Sequence, residues 1–211
     1  MITVVSTGWK APTKHKCLAS VDEQIDVECE HIYVEASEQP HPAPKALENM
    51  SRVIRALPPD RIVALLDGDD WLAHPRALAT VAETYAESPQ LLATYGSYIH
   101  EDGRMGHCAS YGEMPPRQTR QFLASHLKTF RAGLFQRIAP GDLMLEHGQD
   151  VAIMLPILEM AGPKRARFMP HILYVYCSRT SFEFGADIAK LAQERACVEA
   201  LYRRPAYARL P

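Results

Sequence analysis

Long hydrophobic runs are missing from this 211-residue chain. No stretch approaches the roughly 18 consecutive apolar residues that a membrane-spanning helix needs, and the opening run from Met1 to Val5 is too short for a signal core. An excess of charge is missing as well: 23 Lys and Arg against 25 Asp and Glu leave a net charge of −2. No global positive field therefore draws the protein to nucleic acid or an anionic membrane, and such a partner would need a local patch. The five cysteines (Cys17, Cys29, Cys108, Cys177, Cys197) are odd in number and form no C-x-x-C pair. That pattern argues against a zinc site or a redox dithiol and predicts reduced thiols in a cytoplasmic protein. Internal repeats and low-complexity segments are absent too. What is present is ordinary globular material, 47% hydrophobic and 23% charged, which excludes disorder as the main state. At roughly 150 residues per domain, the length predicts a single domain over 1–211 with elaborations.

The pattern along the chain alternates strand and helix. Residues 2–6 are β-branched and run into Thr7-Gly8, as a buried strand ending in a loop would. A helical face (Cys17, Leu18, Val21) follows over 14–24, and 31–34 reads as a second strand. The three prolines of 38–44 predict a loop, 46–57 a helix stopped by Pro58-Pro59, and 61–66 a strand covered on both faces. A helix is expected from about His74-Pro75 to Ser88, a strand over 91–99, and a long loop, a candidate lid, over 100–121. Beyond it the pattern predicts helices at 131–138 and 149–160, a short strand at 172–176 and an amphipathic helix at 186–204. Alternation of this kind implies an α/β fold around a mostly parallel sheet flanked by helices.

The most informative junction is the end of the 61–66 strand, where Asp67-Gly68-Asp69-Asp70-Trp71 follows directly. Three carboxylates within four positions resist ionising together unless something positive neutralises them. One reading is a site for a divalent cation, since oxygen ligands suit Mg²⁺ or Mn²⁺ and open α/β sheets bind ligands beyond the carboxyl ends of their strands. The other is a solvated turn. Trp71 could line a pocket or belong to the core, and His126 and His171 could serve a ligand or be ordinary hydrogen-bonded histidines.

The segment Leu65 to Leu72 resembles the D-x-D region of family 2 glycosyltransferases of the GT-A fold. Val4-Val5-Ser6-Thr7 resembles that family's first strand and nucleotide-facing loop, and Cys17 to Val21 its first helix. Val34-Glu35-Ala36-Ser37 sits where the family has an aspartate-rich turn at the base, with Glu35 in place of aspartate and no glycine after it. His126 to Arg131 and Gln149-Asp150 resemble the acceptor-side segment and the acidic E-D motif, with Gln149 where Glu is common. Leu173 to Arg179 resembles the closing strand, with Cys177 after Tyr176.

The resemblance, which covers roughly residues 1–180, implies a Rossmann-like GT-A domain with a nucleotide-sugar half (1–99) and an acceptor half (100–211) that includes a C-terminal elaboration. It implies inverting, metal-dependent transfer of a sugar from a nucleotide-sugar donor to an acceptor hydroxyl. Asp150 would be the general base; Asp69, with Asp67 and Asp70, would hold Mn²⁺ or Mg²⁺. Ser6, Thr7, Glu35, Gly68 and Arg179 would contact the donor, and Trp71 and His126 would lie on the acceptor side. The acceptor stays open: a saccharide, a lipid-linked sugar, a protein side chain or a hydroxymethylated DNA base. A DNA acceptor would require the basic residues Arg117, Arg120, Lys128, Arg131 and Arg137, or Lys164, Arg165 and Arg167, to meet phosphates. Two other readings compete. A nucleotidyltransferase or sugar-nucleotide pyrophosphorylase would want a Gly-rich phosphate loop, and Ser6 to Lys16 holds only Gly8. A non-catalytic nucleotide- or carbohydrate-binding module would keep the fold without the chemistry.

Overall fold

The computed structural model describes residues 1–8, 11–35, 42–143, 147–177 and 188–211. Arg179, expected at the donor, lies outside the described residues. Three parallel strands open the sheet: β1 (Ile2–Gly8), β2 (Cys29–Glu35) and β3 (Ile62–Asp67), with β1 between the other two. The helices α1 (Lys14–Asp22) and α2 (Pro42–Ala56) make the crossovers. After β3 come the two-residue strand β4 (Trp71–Leu72), helix α3 (Ala77–Glu87), β5 (Ala93–His100) and the short α4 (Pro116–Thr119). Then follow β6 (Lys128–Arg131), α5 (Ala132–Phe135), a 3₁₀ turn at Pro140–Asp142, α6 (Gln149–Ala161), β7 (Ala166–Tyr176) and α7 (Ile188–Arg203). The sheet order is β2-β1-β3-β6-β5-β7-β4, mostly parallel, with β6 and β4 antiparallel to their neighbours.

The apolar run of β3 reflects its two covered faces. Val63 and Leu65 join one core with α2, α5, α6 and α7, while Ala64 and Leu66 join the other with α1 and α3. Alternate side chains of a strand point to opposite faces, so a strand serving two cores cannot alternate with polar residues. Helix α6 is buried nearly throughout, from Val151 to Leu158, and every such Ile, Leu or Met contributes about 1.5–3 kcal/mol.

The structure departs from the pattern reading in four places. Helix α2 begins at Pro42, inside the expected loop, because proline is tolerated in a first turn whose N–H groups have no partner anyway. Strand β6 was hidden, and the helix expected over 131–138 shrinks to α5, whose first amides, on Ala132 and Gly133, bond to the carbonyls of Arg61 and Pro59. Strand β7 starts six residues before the expected position 172; its register against β5 jumps from Met169 to Ile172, so Pro170 and His171 form a bulge that reads as a break. The candidate lid is part of the body: buried Tyr111 donates its N–H to the Tyr95 hydroxyl and its own hydroxyl to the Gln121 carbonyl.

Candidate active site

The register of the parallel strands brings their carboxyl ends to one edge. Gly8 pairs with Glu35 and Thr7 with Asp67, so two donor-side candidates and the first carboxylate of the D-G-D-D turn stand side by side. The turn is pressed against β1. The Gly68 amide donates to the Thr7 carbonyl at 2.8 Å, and a Cβ on Gly68 would sit 2.7 Å from that oxygen and 2.8 Å from Gly8 Cα. A Cβ on Gly8 would lie 2.2 Å from the Tyr33 hydroxyl. Two glycines back to back therefore let the loops of β1 and β3 touch beneath Tyr33.

The second half of the chain delivers the remaining groups. Strand β6 pairs with β3 so that Lys128 lies opposite Leu65, and its fully buried Nζ donates to Asp150 Oδ1 at 2.6 Å. Asp150 is in the first turn of α6, where the helix dipole favours an anion. Gly148 precedes that helix at φ 75°, a left-handed conformation open to glycine at no steric cost.

Electrostatics separate the carboxylates. Burial raises the proton affinity of Asp150, but the Lys128 ammonium outweighs it and holds the group below the ordinary range. Burial likewise opposes a charge on Lys128, and Asp150 and Asp67 together keep it protonated above its ordinary range. Asp67 is pushed up to about 6, first by burial and then by Asp150 and Asp69, with Lys128 only partly compensating. Lys128 thus satisfies Asp150 and leaves Asp67 short of positive charge.

Asp70 has a different task from the one expected. It is 1% exposed; one carboxylate oxygen accepts from the Tyr174 hydroxyl at 2.5 Å and the other from the Cys177 amide at 2.7 Å. Burial and the neighbouring Asp67 and Asp69 push it up to about 8. Asp70 ties the turn to β7 rather than facing a ligand. Asp69 is half-buried, and its carbonyl accepts from the Thr13 hydroxyl.

The other expected residues divide. Ser6 is wholly buried, its hydroxyl engaged with His31 Nε2 at 2.9 Å and Cys17 Sγ at 3.5 Å, so it supports the strand and does not reach the edge. Glu35 is exposed and paired with Lys14 at 3.1 Å. His126 is brought to the site: buried, stacked on Tyr174 with ring centroids 4.3 Å apart and edge-on to Tyr98 at 5.3 Å, within electrostatic range of Lys128 and Asp150. Trp71 is not. It pairs with Val175, while Leu72 pairs with Tyr174, so it occupies the opposite face of β7 from Tyr174. Its ring lies under Lys16 Nζ at 4.2 Å, beside a groove of about 360 Å³. His171 is exposed in the β7 bulge.

Several of the basic residues considered for DNA hold the fold instead. Lys128 is in the site, Arg117 grips Glu159 with two nitrogens, Arg131 caps the carbonyls of Asp60, Pro89 and Leu91, and Arg165 binds those of Leu210 and Pro211. Sequence reading missed Lys128 and Tyr174 as site residues. An unexplained lysine between His126 and Thr129-Phe130 was the available signal for the first.

A divalent cation suits this set. Asp67 is a half-buried oxygen donor whose affinity for positive charge is only partly met by Lys128, and Asp69 is its neighbour. Among the described residues no three His, Cys, Asp or Glu groups converge to hold a metal alone. A hard cation that takes one or two carboxylates and completes its shell with phosphate oxygens and water needs no more.

No protein-family model and no curated protein matches the sequence. Solved structures do. S. aureus TarS, residues 1–349, superposes with a TM-score of 0.64 at 14% identity over 84% of this chain and 60% of its own. The mannosyltransferase PcManGT from Pyrobaculum calidifontis, in complex with GDP-Man and Mn²⁺, gives 0.58 at 17% identity over 97% of this chain and 65% of its own. Glucosyl-3-phosphoglycerate synthase from Mycobacterium tuberculosis, in complex with Mn²⁺, UDP-glucose and phosphoglyceric acid, gives 0.60 at 16% over 97% and 80%. The chain thus has the GT-A fold and spans about 60% of the length of the TarS fragment. No helix among the described residues is long and apolar enough to cross a membrane.

Proposed function

We propose that the protein is a metal-dependent glycosyltransferase that moves a sugar from a nucleotide-sugar donor to an acceptor hydroxyl, with inversion. The observation that carries this reading is the opposition of Asp67, at the carboxyl end of β3, and Asp150, at the start of α6, across the buried Lys128. A carboxylate that wants a cation and one held ionised beside it are the two functions the reaction needs. Two of the solved structures above add support, since PcManGT and the synthase are complexes with Mn²⁺ and a nucleotide-sugar.

Residues 1–99 form the donor half, with the edge of Thr7, Gly8 and Glu35 receiving the nucleotide; Lys128, Asp150 and Tyr174 enter the site from the other half. Arg179 is proposed as a diphosphate contact. Asp67 and Asp69 would hold Mg²⁺ or Mn²⁺, which supplies Lewis-acid stabilisation of charge on the departing diphosphate. Asp150 accepts the proton of the acceptor hydroxyl. As that oxygen bonds to the anomeric carbon, the bond from this carbon to the diphosphate oxygen breaks on the opposite face. Lys128 keeps Asp150 ionised and in place, so position rather than a raised pKa makes it a base. His126, behind Tyr174, shapes the acceptor side. The working location is the cytoplasm, where nucleotide-sugars and reduced thiols coexist.

Calorimetric titration of UDP, GDP, CDP and TDP, with and without Mn²⁺, tests the reading. One nucleoside diphosphate is expected to bind only with the metal, and Asp69→Ala is expected to abolish that binding. Absence of binding for all four under both conditions would overturn the donor site.

A further inference from the structure

A well-formed cavity lies away from the carboxylates. It has a volume of about 710 Å³ and opens at the amino-terminal ends of β5 and β7, between the 110–118 segment, the end of α6 and the chain near residue 207. Asp150 begins α6 and Glu159 is nine residues on, so at 1.5 Å per residue the two places are roughly 14 Å apart along that helix. The volume falls within the roughly 300–1,000 Å³ of small-molecule sites.

The walls are apolar and already built. Tyr95, Leu158 and Phe168 line the interior, the rings of Tyr95 and Phe168 lie 5.8 Å apart, and Met114, 57% exposed, stands at the rim. The Arg117–Glu159 fork is one wall, and the Tyr207 amide donates to the same Glu159 at 3.0 Å. Leu210 N–H to the Met160 carbonyl holds the terminal segment against α6. A ligand would meet a shape whose ordering is complete before it arrives.

Charge decides the class of ligand. Arg117 and Glu159 cancel each other, which leaves Lys164, Arg167 and Arg209 against Glu113 in the lining. All three cations are exposed, and none has a carboxylate partner among the described residues; Arg167 donates to the Ser88 hydroxyl instead. A chain of net charge −2 thus gathers unpaired positive charge at the mouth of an aromatic cavity.

We infer that this cavity is a second ligand site, for a small organic anion: an apolar body of about two fused rings seated on Tyr95, Leu158 and Phe168, and a phosphate or carboxylate met by Lys164, Arg167 and Arg209. It binds independently of the nucleotide edge. Calorimetry with 1-naphthyl phosphate, 1-naphthol and inorganic phosphate tests this on the intact chain. Naphthyl phosphate is expected to bind at one equivalent, at least about tenfold more tightly than either fragment, a difference of about 1.4 kcal/mol. The exposed double variant Lys164→Glu, Arg209→Glu is expected to weaken naphthyl phosphate about tenfold, leave 1-naphthol unchanged and leave Mn²⁺-dependent nucleotide binding as in the parent. Failure of naphthyl phosphate to bind would overturn the inference. So would equal affinity in the double variant, displacement by a nucleoside diphosphate, or a concentration-dependent dimer abolished by the double variant, which would make the face a contact between copies.

Discussion

Two clusters of charge sit towards opposite ends of α6, each around a buried or nearly buried group, and they are built on opposite plans. At its carboxyl end, Glu159 faces the Arg117 guanidinium, accepts the Tyr207 amide, and stands near the Arg204–Asp142 pair. Both carboxylates there, Glu159 and Asp142, have a cationic match. At its amino end, Lys128 is matched to Asp150 and only partly offsets Asp67, which burial and the neighbouring carboxylates raise. A balanced cluster is a fastener, whose removal leaves an uncompensated charge. An unbalanced one is expensive on its own, and persists where a missing cation or ligand completes it.

Breaking the amino-terminal cluster should show in chemistry. Asp150→Asn is expected to lower the rate of sugar transfer by about 10²–10⁴-fold, the range for loss of a general base, with nucleotide binding intact in calorimetry. A variant that still turns over like the parent would remove Asp150 from the mechanism. Breaking the carboxyl-terminal cluster should show in stability instead. Glu159→Gln is expected to cost about 3 kcal/mol in urea unfolding, at the lower end for one partner of a buried pair, while Mn²⁺-dependent nucleotide binding is unchanged. Comparable effects of the two variants on both readouts would erase the distinction.

A smaller effect sharpens the boundary of the functional cluster. His126 is lowered to about 3, mainly by burial and further by Lys128. Its folded pKa is below the unfolded value near 6.5, so the stability it confers is complete above that pH and is lost as the pH falls towards 3. Between pH 7 and about pH 5 the parent should lose about 2 kcal/mol more than His126→Phe in chemical denaturation. Identical acid sensitivity of the two proteins would mean that His126 titrates normally.

The contrast also explains what could be read from the sequence. The parallel strands were legible because both faces are covered: 62–66 carries no polar interruption, and its abrupt end in Asp67 marked the edge of the candidate site. Helix α6 was legible through its apolar run, whereas Asp150 was singled out only by the resemblance of Gln149-Asp150 to an acidic motif. Strand β6 was not, since a four-residue strand holding a buried lysine has neither the alternation nor the composition of a strand; its place is set by β3 and by Asp150, 22 residues on. Ser6 and Asp70 look like donor-side groups by type and position, yet the first faces His31 inside the layer and the second is held by Tyr174 and Cys177. Which way a polar side chain turns depends on partners distant in sequence, and no local pattern carries that information. Lys164 and Arg167 read as a basic stretch; only the approach of Arg209 and the aromatic walls gives them a common mouth.

The paired glycines at the strand edge bear on how such a sequence can drift. A methyl group at position 8 collides mainly with the end of a side chain, the Tyr33 hydroxyl, whereas one at position 68 meets that hydroxyl and also, at 2.7 and 2.8 Å, the main chain of Thr7 and Gly8. The first obstacle can be removed by a second mutation and the other cannot. In descendants of this chain, alanine at position 8 should therefore occur only alongside a smaller residue at position 33, a conditional freedom, while position 68 stays glycine whatever else changes.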